Sequence, residues 1–300
     1  MKRVLVTGAS GFIGRHVVAS LGSAGWTVRT LHRGNPIPGI KDHVAADVTR
    51  DPLTVALRDI SAVIHLAGLG DIAASTLHPL DYNLVNAVGT LQILEAARQS
   101  NATVVLASSQ HVYRPSARRL TEQSPPRPQN VYGVSKMIAE RWCEMYGQEY
   151  GLPTRAVRLF SVYGPGQVGQ GASGVVSIFT ERATRDEPII VMSGQRRDFT
   201  HVHDVVRGLI AALDYSSTGY GVFNIGTGVG TNFGNLALLI RELLSSSSDV
   251  DTSRMSSTSK HLIPSVERAR VELGFASQIS LLEGLQDYFD WTRKAAIRFA

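Results

Sequence analysis

The chain has 300 residues, 43% hydrophobic and 18% charged, which suits one large α/β domain or two coupled ones. Its single cysteine, Cys143, excludes an intramolecular disulfide and a thiolate metal cluster, and fits a reducing cytoplasm. The charge of +5 is spread over scattered Arg and Lys with no dense basic stripe, and no run reaches 18 apolar residues, so neither nucleic acid nor a membrane span is expected.

Arg3 to Thr7 is a β-branched, apolar run of strand length, and glycines follow at positions 8, 11 and 14. Val17, Val18 and Leu21 then recur as on a helix, predicted over 11–23. Strand, glycine turn and helix in that order suit a dinucleotide. Gly8 turns the chain, Gly11 admits a pyrophosphate to the backbone, and Gly14 lets the helix lie against the sheet. The helix N-terminus then offers free N–H groups and its positive dipole end to phosphate.

The second strand, Thr27 to Leu31, leads into His32-Arg33-Gly34. No carboxylate is there to accept from an adenosine ribose, while His32 and Arg33 suit a 2′-phosphate, so NADP is favoured with NAD as the alternative. A third strand through His43 to Ala46 ends on Asp47-Val48, where a carboxylate suits the adenine amino group. The fourth, Ala62 to Leu66, ends on the small Ala67 and Gly68; its His65 reads as a satisfied structural histidine. A helix over 83–99 has apolar residues at 84, 85, 88, 91 and 94, with Asn86 near its start. The fifth strand, Thr103 to Ala107, runs into Ser108-Ser109-Gln110-His111.

A proline-rich loop over 122–130 precedes a helix over 131–150, and Thr154 to Leu159 forms a further strand. Tyr132 and Lys136 lie four apart on that helix, hence on one face. A free tyrosine, with pKa about 10, is a poor base at neutral pH, and a nearby ammonium favours its phenolate. Such a tyrosine can move a hydroxyl proton while hydride moves to or from a nicotinamide, with a serine holding the same oxygen. The alternation of strands and helices predicts an α/β fold, a doubly wound parallel sheet of Rossmann type.

These ordered motifs resemble the extended short-chain dehydrogenase/reductases of the nucleotide-sugar epimerase and dehydratase family. They are Thr7-Gly-Ala-Ser-Gly-Phe-Ile-Gly14, Asp47-Val48, His65-Leu66-Ala67, Asn86-Ala-Val-Gly-Thr90, Ser108-Ser109 with Val112-Tyr113, and Tyr132-Gly-Val-Ser-Lys136. Arg158-Leu-Phe-Ser-Val-Tyr-Gly-Pro165, Arg197-Asp-Phe-Thr-His-Val-His-Asp204 and Phe223-Asn-Ile-Gly-Thr-Gly228 continue the match. The resemblance implies Ser109, Tyr132 and Lys136 as the catalytic set. It implies Gly8, Gly11, Phe12, Ile13, Gly14, Asp47, Val48, Leu66, Ala67 and Asn86, with Tyr132 and Lys136, at the cofactor. Arg197 would meet a substrate diphosphate, with His111 and Ser161 beside the substrate. No metal ligand is implied.

The family pattern further implies a dinucleotide unit over 1–165 with 197–228, and a smaller, discontinuous substrate-binding region over 166–196 with 229–300. Late helices are expected over 232–243, 266–273 and 281–292, separated by a mobile serine-rich linker at Ser245–Ser248 and 253–259. A homodimer would pack the helices 83–99 and 131–150 as a four-helix bundle.

The chain departs from the pattern in several places, among them a shortened Met192-Ser-Gly-Gln-Arg-Arg197 segment. Gln110-His111 stands where 4,6-dehydratases carry a carboxylate, which argues against water removal. His111 remains open as an acid/base, with an unperturbed pKa of about 6.5, or as a structural histidine. Ser161 replaces a usual asparagine and Arg114 a usual glycine. The resemblance thus implies epimerisation of a nucleotide-diphosphate sugar at C4 through a transient ketone. An NADPH-dependent reductase of a nucleotide 4-keto-deoxysugar is the alternative, and a non-catalytic dinucleotide sensor a third reading.

Overall fold

The structure is a computed structural model that describes residues 2–167, 174–258 and 260–299. Seven parallel strands form its central sheet: β1 (Arg3–Thr7), β2 (Thr27–His32), β3 (His43–Ala45), β4 (Ala62–His65), β5 (Thr103–Ser109), β6 (Thr154–Leu159) and β7 (Tyr220–Ile225). Their spatial order is β7-β6-β5-β4-β1-β2-β3. The order reverses between β1 and β4, which pair from Val4 with Ala62 to Thr7 with His65. Ligands bind at such a reversal, beyond the carboxyl ends of the strands.

The strands are short apolar runs because both sheet faces are covered. Val4 and Val6 point to one core with Val17 and Leu21 of helix α1 (Phe12–Ser23). Leu5, Val63 and Val104 point to the other, against Ile93 and Leu94 of α2 (Gly89–Ser100) and Ala139 and Cys143 of α3 (Val131–Glu149). A third core joins Val176 and Phe179 of α4 (Val175–Thr184), Leu236 and Ile240 of α5 (Phe233–Leu243), and Leu285, Tyr288 and Phe289 of the last helix, α6 (Leu281–Phe299).

Several sequence expectations are revised. The helix expected over 83–99 is three pieces: Pro79–Asn83, a π-helical turn at Leu84–Val88, and α2. The π turn is explained by Asn86, which turns inward and is fully buried. Its amide accepts from Leu69 N–H at 2.8 Å and donates to the Leu69 carbonyl at 3.0 Å. Leu84 and Val88, expected on the packing face, are exposed. A helix over Val202–Asp214 was not foreseen. The serine-rich linker is fastened rather than loose. Ser246 Oγ and Ser247 N–H both donate to Asp186, at 3.0 and 2.7 Å, and Val250–Asp251 pairs in parallel with Ile189–Ile190. Position 259 lies outside the described residues.

Candidate active site

The site starts from the turn between β1 and α1. Gly8 has φ +64°, a left-handed backbone that glycine adopts at no steric cost, and a Cβ there would meet Ala67 N at 2.7 Å. A Cβ on Gly14 would collide with the Gly8 carbonyl and come within 2.8 Å of Ala9 Cα. Gly11 caps α1 with no side-chain hydrogen bond, so the first-turn N–H groups keep their capacity for an anion. Under this turn, Thr7 Oγ1 meets His65 Nδ1 at 2.7 Å and His65 Nε2 meets Thr90 Oγ1 at 3.1 Å. Burial pushes the His65 imidazole down to about 3, so it is a neutral strut, as read from the sequence.

The two serines closing β5 face opposite ways, as the pleat requires. Ser108 Oγ donates to Glu140, which also holds Arg158 through Nε at 2.9 Å and Nη2 at 2.6 Å. Ser109 faces the cleft and accepts the His111 N–H at 3.2 Å. The start of α3 is fixed by Asn130, whose Oδ1 accepts the Gly133 N–H at 2.8 Å. That cap aims Tyr132 at Ser109.

Lys136 follows one turn later, buried, with Nζ donating to the Ala107 carbonyl at 2.9 Å. Burial lowers the Lys136 ammonium to about 8, against the opposing pull of Glu140. Burial raises the Tyr132 hydroxyl above its ordinary value, against the opposing effect of the Ser109 hydroxyl. The phenolate expected from the Tyr-Lys spacing is therefore not formed by Lys136 alone.

A cavity of about 400 Å³ runs from Gly8, Gly11, Phe12, Ile13 and Gly14 past Leu66 to Ser109, Tyr132 and Lys136. Glycines without Cβ atoms, an uncapped helix start and a hydroxyl pair at the far end fit a dinucleotide. Other expected cofactor residues do not line this cavity. Asn86 shapes the 67–70 loop through Leu69, and Ala67 N–H donates to Thr7 Oγ1 at 3.1 Å. Val48 is buried. Asp47 accepts from Thr49 N–H at 2.9 Å and Thr49 Oγ1 at 2.7 Å, which hold its carboxyl below the usual range.

His32 and Arg33 part company. His32 is buried, its ring 4.3 Å from that of His43, and its Nδ1 accepts the Gly34 N–H. The Arg33 side chain is 78% exposed, with Nη1 3.9 Å from Asp47. Only Arg33 of the pair reaches outward.

A second cavity, of about 680 Å³, shares Gly70, Ile72, Gln110, His111, Ser161 and Val162 with the first and ends at Arg197 and Phe199. Ser161 Oγ accepts from Gln110 Nε2 at 2.9 Å. The Arg197 guanidinium lies 5.4 Å from the Phe233 ring centre and donates to Gln195 at 3.2 Å. Among the described residues no carboxylate pairs with it. That leaves a charge in the cavity wall able to take an anion. The His111 ring lies 5.9 Å from that of Tyr132. Burial, then the Arg197 charge, lowers His111 to about 3. It is therefore neutral at pH 7 and not poised near neutrality, a correction to its unperturbed value. Sequence reasoning did not single out Gln110 as a cavity-wall donor, Asn130 as the cap, or Asp71 and Phe199 in the wall. An acid absent from position 110 was the one available signal.

The chain is similar in sequence and in fold to known proteins. A putative UDP-glucose 4-epimerase of Methanocaldococcus jannaschii is 30% identical, over 97% of this chain and 98% of its own. UDP-glucuronic acid decarboxylase 1 of Xenopus tropicalis is 27% identical, over 98% of this chain and 72% of its own. The solved structure of MoeE5 in complex with UDP-glucose and NAD superposes with TM-score 0.88 at 33% identity, covering 98% of this chain and 99% of that one. UDP-glucose 4-epimerase of Thermotoga maritima with UDP-glucose gives 0.89 at 28% identity, with the same coverage. Residues 4–226 match the profile of the NAD dependent epimerase/dehydratase family. By that match, and by the Rossmann-type sheet that carries it, the chain belongs to the NAD-dependent epimerase/dehydratase family, enzymes of the extended short-chain dehydrogenase/reductase type.

Proposed function

We propose that this protein is an epimerase of a nucleotide-diphosphate sugar, acting at C4 through a transient 4-keto intermediate. One observation carries the reading. Ser109, Tyr132 and Lys136 stand in the smaller cavity beside the wall it shares with the larger, where Arg197 has no carboxylate partner among the described residues. A guanidinium so placed suits the diphosphate, and the two hydroxyls suit one sugar oxygen. Relatives named as UDP-glucose 4-epimerases, and a neighbour solved with UDP-glucose and NAD, support uridine diphosphate as the nucleotide.

When bound, the nicotinamide ring supplies the hydride acceptor and donor. Tyr132 takes the proton of the sugar hydroxyl as that carbon becomes a ketone, and returns it on reduction. Ser109 holds the oxygen throughout. Burial keeps the Tyr132 hydroxyl protonated, and added positive charge beside it, together with Lys136, lowers it for the reaction. Inversion requires the ketone to present its other face, and a cavity of about 680 Å³ leaves room for the turn. Gln110 and a neutral His111 stand where water removal needs an acid, which speaks against a dehydratase.

Arg33 favours a second reading. Its exposed guanidinium suits a 2′-phosphate, and NADP suits net reduction of a 4-keto-deoxysugar. Denaturing the purified protein and identifying the released dinucleotide by mass separates the two. Retained NAD is expected for the epimerase; an empty site with NADPH oxidation on a ketosugar establishes the reductase instead. Tyr132→Phe should lower turnover by about 10²–10⁴ while dinucleotide binding persists. Unchanged turnover would remove Tyr132 from the mechanism, and loss of nothing but a partner's regulation would leave the sensor.

We also infer that segments 1–165 with 197–228 carry the dinucleotide and part of the substrate cavity, and that 166–196 with 229–300 add the rest of the substrate end. We further infer a cytoplasmic homodimer. Its contact would run along Leu80, Leu84, Val88 and Met145, apolar side chains exposed on the segments leading into α2 and on α3. Cys143 is buried as a free thiol, as a reducing compartment allows.

A further inference from the structure

His201 closes the short strand Thr200–His201, which pairs in parallel with Val162–Tyr163, and His203 follows in the first turn of the helix Val202–Asp214. Asp287 comes from α6, more than eighty positions later in the chain. One ring nitrogen of each histidine and one Asp287 oxygen lie within 4.8 Å of one another. We propose that His201, His203 and Asp287 bind one divalent transition-metal ion of zinc or cobalt type, at a site separate from the catalytic cleft.

Three observations carry this. His201 is 1% exposed, yet neither of its ring nitrogens makes a hydrogen bond. A buried polar group left unsatisfied costs about 1–3 kcal/mol unless something meets it. Its Nε2 lies 3.3 Å from Asp287 Oδ2, near enough for an ion pair but without hydrogen-bond geometry. Two ligands on a tetrahedral ion with bonds of about 2.0–2.1 Å stand roughly 3.3–3.4 Å apart, so this spacing is that of two metal ligands.

The donor set matches the same class of ion. Two imidazoles and one carboxylate suit zinc, cobalt or nickel, whereas calcium and magnesium take oxygen. His203 and Asp287 are exposed, which gives an ion a path in and leaves room for water as a further ligand. His16 of α1 flanks the group, its ring 5.1 Å from that of His203 and its Nε2 2.7 Å from the Pro165 carbonyl. It orients His203 from the side and is not counted as a ligand.

Such an ion clips α6 to the sheet's own helices. Leu285, Tyr288 and Phe289 of α6 seal the third core, so the clip fastens the last helix of the chain over that core. The role is one of stability, independent of the chemistry in the cleft.

The test uses the full-length chain without a histidine tag, stripped with EDTA and titrated with Co²⁺ at pH 7.5. Visible absorption of the bound ion and the thermal midpoint are followed together. One saturable equivalent is expected, with a rise in the midpoint. His203→Ala and Asp287→Asn change exposed side chains, so both variants should fold. Each should weaken Co²⁺ at least about tenfold and abolish the rise. Failure of the unaltered protein to bind one equivalent overturns the proposal. Undiminished binding in either variant does the same, because it marks an adventitious ion only.

Discussion

The two cavities of the cleft are built by opposite means. The dinucleotide end is mostly backbone: a few consecutive residues, from Thr7 to Gly14, turn a strand into a helix and expose N–H groups. The substrate end is mostly side chains, delivered by Gly70, Asp71 and the short helix Ile72–Leu77, the strand ends at Gln110 and Ser161, α4 and the short strand Arg196–Arg197. Adding an atom damages the first end, and removing one damages the second.

That contrast can be broken by substitution. Arg197→Met keeps much of the volume and removes the charge. Loss of a charge-assisted contact worth about 1.5–3 kcal/mol should raise KM for the nucleotide sugar roughly 10–100-fold. Dinucleotide affinity should not move; a parallel loss there would merge the two ends into one unit. Gly14→Ala adds a single methyl against the Gly8 carbonyl. Overpacking of this kind costs about 1–3 kcal/mol, and dinucleotide affinity measured by fluorescence should fall about tenfold. An alanine protein that binds normally would show that the turn yields, against the view of it as a fixed cradle.

The smallest effect tests the strut beneath the cradle. Folded His65 titrates near 3, well below its ordinary 6.5. Between those values the unfolded chain binds the proton and the folded one does not. Stability contributed by neutral His65 is therefore present above pH 6.5 and lost as pH falls toward 3, by at most roughly 1.4 kcal/mol per pH unit. Urea midpoints measured from pH 7 to 4 should fall, and His65→Gln should flatten the slope. An equal slope in that variant would move the acid sensitivity to other groups, His111 and His201 among them.

The same contrast decides what could be read in the sequence. The glycine turn, the parallel strands and the Tyr132–Lys136 spacing are local patterns, and each strand buried on both faces reads as an apolar run. What escaped depends on partners distant in the chain. Asn86 forces a π turn because its amide has two bonds to make with Leu69. The serines at 245–248 look like a linker by composition, while Asp186 fastens them. His111 has the right side chain for acid/base work, and only the folded surroundings push it down to about 3. Likewise, His32 and Arg33 are adjacent letters, but the first is buried against the His43 ring and the second is exposed beside Asp47.

The sheet also has a consequence in time. Its outer strand, β7, pairs with β6 from Tyr220–Thr154 to Ile225–Leu159, yet it follows β6 by roughly 60 residues. At a synthesis rate of about 5–20 residues per second, a nascent chain carries the open edge of β6 for roughly 3–12 seconds before its partner strand is made. Arg155, fully buried in the finished protein, waits at that edge for the carbonyl of Gly219, which it meets at 2.6 Å. A charged side chain on an unpaired edge deters strand addition from other chains. The residue that ends up buried against the segment leading into β7 thus keeps a charge on the growing sheet's edge while that segment is being made.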